Sequence, residues 1–136
     1  MFTENLKTVL KKHEADRLDL YKCSAGKWTI GTGHNIQDNG IPQEVSDLLL
    51  DIDVKDVLKK CRENFKWFCG LSETRRIVVA SMVFNLGLVG FKKFRKTIIC
   101  IGLKEYKGAA LEMLDSRWAE QVGRRAVELA DMMVEG

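Results

Sequence analysis

One proline and 11 glycines in 136 residues are too few for a disordered or collagen-like chain. No stretch of about 18 apolar residues runs without a charge, so no membrane-spanning helix and no stable membrane insertion are expected. The opening Met1-Phe2-Thr3-Glu4-Asn5-Leu6-Lys7 has neither the basic start nor the apolar core of a secretory leader, and none is expected. Cysteine is scarce, and the Cys61-x7-Cys69 pair is not zinc-ligand spacing. Without an export signal, Cys23, Cys61, Cys69 and Cys100 read as reduced thiols, three of the four as buried filler. No metal or other cofactor is expected.

Charge of one sign is lacking too: 22 Lys and Arg against 19 Asp and Glu leave +3, well short of a nucleic-acid footprint, and no nucleic-acid partner is expected. The surplus is uneven. Residues 1–60 carry nine basic and ten acidic side chains, net −1, whereas 61–136 carry thirteen and nine, net +4. A polyanionic ligand would meet the C-terminal half first.

What is present is one domain's worth of alternating helical and extended patterns, 46% hydrophobic and 30% charged. Phe2, Leu6, Val9 and Leu10 have the spacing of a short amphipathic helix ending near His13. From Leu18 to His34, β-prone residues alternate around Ser24-Ala25-Gly26-Lys27, which predicts a hairpin. Asp38-Asn39-Gly40 marks a turn, and Pro42 suits the first turn of a long helix over about 42–64. Ser72 is placed to cap a helix buried in the core, Ile77 to Leu88, that ends at Gly87 or Gly90. Three amphipathic segments follow, at about 91–101, 104–116 and 122–134, separated by Gly102 and by the Ser116 to Gly123 stretch. The expected fold class is α+β, mainly α-helical, with a small hairpin inserted early. Trp67, Phe68, Trp118 and the methionines are read as packing.

Three reactive side chains fall around the hairpin: Glu14, then Cys23 after eight intervening residues, then Thr29 after five more. Cys23 and Thr29 on opposite arms can face each other, with Glu14 supplied from the preceding helix end. A carboxyl on one side and a polar pair on the other could protonate a leaving oxygen while holding a water for attack. A thiol does the second job poorly, and a neighbouring carboxylate is expected to suppress its ionisation further.

At these residues the chain resembles phage lysozymes of the T4 type, whose signature is Glu, eight residues, Asp or Cys, five residues, Thr. The likeness extends through Leu20-Tyr21-Lys22, Gly26, Trp28-Thr29-Ile30-Gly31-Thr32-Gly33-His34, Arg75-Arg76, Met82 to Gly87, Gly90-Phe91, Ser116-Arg117-Trp118 and Arg125, nearly the whole chain. It implies a lysozyme-like fold: a hairpin lobe over about 15–41, a linking helix over about 42–64, and a helical lobe of about 65–136 plus 1–13, in one catalytic domain over 1–136. It implies hydrolysis of the β-1,4 bond between N-acetylmuramic acid and N-acetylglucosamine in peptidoglycan, with Glu14, Cys23 and Thr29 as the catalytic set. Asn35, Phe84, Asn85 and Arg117 match substrate-contacting positions, Arg125 is placed opposite Glu14, and His34 is paired with Asp51. A monomer is expected, held in the host cytoplasm until a separate holin-type protein opens the way to the cell wall. The segment after His34 is shorter than in the family's type enzyme, which also has Asp and Gln where this chain has Cys23 and Asn85.

Two other functions compete. A thiol hydrolase with Cys23 as nucleophile and His34 as base would cleave a peptide or amide bond but leaves Glu14 without a task. A noncatalytic wall-binding protein, gripping an anionic polymer through its basic half, leaves the triad spacing without a reason.

Overall fold

A computed structural model describes residues 1–136. The chain runs α1 (Phe2–His13), β1 (Asp16–Lys22), β2 (Trp28–Thr32), β3 (His34–Asn35), α2 (Ile36–Asn39), α3 (Gln43–Asn64), a 3-10 turn at Phe68–Gly70, α4 (Glu73–Lys92), α5 (Arg95–Gly102), α6 (Tyr106–Leu114), α7 (Arg117–Val122) and α8 (Arg124–Glu135). It is the expected α+β fold: mainly helical, with one small antiparallel sheet in the order β1-β2-β3. Packing divides it into two compact units, Met1–Leu49 and Leu50–Gly136, with the boundary inside α3.

In the first unit the hairpin forms as the alternation predicts, and it gains a third strand. Tyr21 pairs with Thr29 and Lys22 with Trp28, while the register slips between Arg17 and Tyr21. Thr29 also pairs with Asn35, which places it in the middle strand and buries it to 2% exposure. The sequence reading put a turn at Asp38-Asn39-Gly40. That turn is the end of the short helix α2, which Asn35 starts by accepting the Asp38 N–H at 3.0 Å.

The second unit holds the apolar core, built from Val57 and Cys61 of α3, Val78, Val79, Met82 and Val83 of α4, and residues of α5, α6, α7 and α8. Phe65 stacks on Trp67 and meets Phe91 edge-on, with ring centroids 4.8 and 5.4 Å apart. Helix α4 begins as predicted, the Arg75 N–H donating to Ser72 Oγ at 3.2 Å. The first helical segment of α4 ends at Gly87, one of the two expected stops, where φ is +75°, a backbone open to glycine, and a second short segment carries on to Lys92. Although α4 is long and apolar enough to cross a membrane, five of its side chains, Val78 to Phe91, lie in this core.

The Ser116 to Gly123 stretch, read as a separator, contains helix α7. Ser116 Oγ accepts the Ala119 N–H at 3.1 Å to start it, and Gly123 with φ +58° ends it. Buried filler describes one cysteine of the intended three. Cys61 is buried, Cys100 and Cys23 are half-buried, Cys69 is exposed, and all four are free.

Candidate functional site

The Glu14 position follows from where α1 stops. His13 is its last residue, and Glu14 turns into extended backbone while its N–H still donates to Leu10 carbonyl at 2.7 Å. The carboxyl end of the side chain therefore projects from a helix terminus, exposed to solvent, beside the sheet. There it lies against Gly33: a Cβ built on that glycine would sit 3.2 Å from Glu14 Cγ, Cδ and Oε2.

Cys23 begins the hairpin turn. Its N–H donates to Lys27 carbonyl at 2.9 Å, and its own carbonyl accepts from the Gly26 N–H at 2.8 Å. The turn folds back on the sulfur. The backbones of Lys27 and then Ala25 hold the Cys23 thiol below its ordinary pKa, and desolvation opposes them. This corrects the expectation of suppressed ionisation, because the turn backbone governs the sulfur and the Glu14 carboxyl does not figure among its influences. Thr29 itself donates its hydroxyl hydrogen to Lys27 carbonyl at 2.8 Å, which leaves its oxygen lone pairs free to accept.

The other residues singled out in the sequence lie on both units. In the first, Asn35 is a helix cap whose Oδ1 accepts from Asp38 N–H and whose Nδ2 donates to Asp38 Oδ2 at 2.9 Å. Asp38 also pairs with Lys27 at 3.4 Å, so one network ties α2 to the turn that carries Cys23. His34 Nε2 lies 2.6 Å from Gly40 carbonyl, and no hydrogen bond joins this imidazole to Cys23. Asp51 is an exposed residue of α3 in the second unit.

Within the second unit, Phe84, Asn85 and Arg125 line one cavity of about 800 Å³ together with Leu50, Val54, Arg62 and Arg76. Phe84, which alone would pass for core, is 49% exposed. Asn85 is oriented by Trp118, whose indole N–H donates to Asn85 Oδ1 at 2.8 Å, and this leaves the amide hydrogens free to donate. Arg117 lies apart, in a second cavity of about 540 Å³ with Lys93, Arg95 and Lys96. Sequence reasoning did not find the arginines at 62 and 76 as cavity residues, nor the approach of Gly33 to Glu14. A glycine beside a histidine carries no sign of which side chain it faces 19 positions earlier in the chain.

A probable T4-type lysozyme of Dictyostelium discoideum is 28% identical, over 90% of this chain and 89% of its own length. An endolysin of Acyrthosiphon pisum secondary endosymbiont phage 1 is 31% identical, over 86% of this chain and 80% of its own. A second probable T4-type lysozyme of Dictyostelium discoideum is 24% identical over 97% and 95%. With the phage lysozyme profile matching residues 11–131, the chain belongs to the phage lysozyme family and is a lysozyme-type glycoside hydrolase.

Proposed function

We propose that this hydrolase is an endolysin muramidase that cleaves the β-1,4 bond between N-acetylmuramic acid and N-acetylglucosamine in peptidoglycan and so lyses the host cell. The observation that supports the reading is membership of the phage lysozyme family, together with an exposed carboxyl at a helix end beside the sheet whose turn carries a thiol of eased ionisation and whose middle strand carries a buried hydroxyl. Glu14 acts as general acid, passing its proton to the glycosidic oxygen as the bond to the anomeric carbon breaks. A water accepted by Thr29 Oγ1 and deprotonated by the Cys23 thiolate attacks the opposite face of the sugar. The sulfur's proton and the one lost by Glu14 are then exchanged through solvent. One displacement by water inverts the anomeric centre.

In this reading Asn35, Phe84, Asn85 and Arg117 contact the glycan, and Arg125, His34 and Asp51 are supporting residues. No cofactor takes part. The enzyme works as a monomer on peptidoglycan strands, stays in the host cytoplasm, and reaches the wall when a holin-type protein opens the membrane. The absence of a hydrogen bond between Cys23 and His34 favours this reading over the thiol amidase.

The test is to digest purified peptidoglycan and assay both new reducing ends and new free amino groups. Reducing ends alone are expected from the parent and none from Glu14→Gln, which keeps the shape of the side chain but has no proton to deliver. Losing general acid catalysis costs about 10²–10⁴ in rate. New amino groups would favour the thiol amidase, and a Glu14→Gln variant within a fewfold of the parent would remove Glu14 from the mechanism.

A further inference from the structure

We infer that Gly33 is a positioning residue for Glu14: the missing side chain at position 33 gives the carboxyl the place from which it delivers its proton. This rests on Glu14 being the general acid.

The Glu14 side chain makes no hydrogen bond and no ion pair within the first unit, and it stands at a helix end exposed to solvent. Left alone, such a side chain samples several rotamers. The packing partner the structure provides is the turn between β2 and β3, where Gly33 adopts φ +69° and approaches the carboxyl closely enough that a methyl group would lie 3.2 Å from Cγ, Cδ and Oε2 together. All three atoms lie beyond the Glu14 Cβ, so a turn about χ1 relieves the contacts together, but only by swinging the carboxyl away from its present place. The carboxyl would have to give by a few tenths of an ångström or leave its rotamer, a displacement on the scale of the tolerance of about 0.5 Å for productive geometry.

Neighbouring Gly31 separates this role from ordinary backbone need. It has nearly the same conformation, φ +66°, yet a Cβ there would meet nothing within 4 Å. Position 31 needs glycine for its backbone alone, whereas position 33 needs it also for the space beside Glu14.

The experiment compares Gly33→Ala with Gly31→Ala, and Gly33→Asn with Gly31→Asn, since asparagine tolerates positive φ better than alanine. Thermal melting, kcat and KM on soluble glycan fragments are measured for all four, with Glu14→Gln in parallel. Similar losses of melting temperature are expected at the two positions, but only the position-33 pair should lose kcat, by about 10²-fold, with KM little changed. Equal kcat at the two positions would overturn the inference, as would position-33 variants with the parent's kcat. So would failure of both position-33 variants to fold while both position-31 variants fold. If Glu14→Gln is active, the reading of Glu14 fails; if it is inactive and the glycine pairs behave alike, only the inference about Gly33 does.

Discussion

In the proposed mechanism a thiol stands where the family's type enzyme has a carboxylate, and the turn around it eases the thiol's ionisation. Because the backbones of Lys27 and Ala25 stabilise the thiolate, Cys23 should alkylate half-maximally at a lower pH than a free thiol such as glutathione, as peptide mapping after iodoacetamide pulses will show. Cys23→Asp is expected to stay active, Cys23→Ala to lose most activity, and alkylation to inactivate the parent while sparing the Asp variant. Full activity in Cys23→Ala, or a product that retains the anomeric configuration, would overturn the water-first mechanism. Cys61 shows the opposite environment. Burial raises its pKa from about 9 to about 11, which means the unfolded chain gives up that proton first as pH rises. The stability contributed by the neutral thiol is full below about pH 9 and fades toward 11. Cys61→Ala should lower stability throughout by opening a small cavity, yet flatten its decline between those two pH values in urea titrations.

At the scale of elements, α4 is tied at its start to the end of α8. Arg75 Nε and Nη2 donate to Met133 and Val134 carbonyls at 2.8 and 3.0 Å, and the guanidinium lies 3.5 Å from the centre of the Tyr106 ring. These carbonyls belong to the last turn of α8, which has no further helical N–H to accept. Arg75→Leu should therefore destabilise by about 2 kcal/mol, and Tyr106→Phe, which keeps the ring face, by much less. Loss of the cap in Ser72→Ala should cost about 1 kcal/mol, since the orphan Arg75 N–H then has only water. Equilibrium unfolding in urea measures all three, and an unaffected Arg75→Leu would show the fork to be ornamental.

For the whole molecule, the contrast between the halves has a consequence in solution. The −1 of residues 1–60 and the +4 of 61–136 predict that the C-terminal half supplies the long-range attraction to an anionic wall. Lytic activity on whole walls should fall as salt shortens the Debye length from about 30 Å at 0.01 M to about 8 Å at 0.15 M, while cleavage of short neutral fragments stays nearly constant. Equal salt dependence on both substrates would assign the effect to folding or catalysis and not to charge attraction.

The elements were legible because their signals are local: apolar spacing for α1 and α3, alternation for the hairpin, and a serine three residues before the N–H it caps for α4. The candidate triad stood out in the sequence because Glu14, Cys23 and Thr29 lie within 16 positions around one hairpin. Helix α7 and the third strand were hidden for the same reason in reverse, being too short for any period to repeat. Tertiary structure alone decided the rest. It set the middle-strand place of Thr29, the use of Asn35 as a cap, the turn backbone that eases Cys23 ionisation, and the closeness of Gly33 to Glu14. Propensity acts over about one helical turn or one strand pair. The approach of two chain segments depends on register and on backbone angles that only the folded sheet fixes.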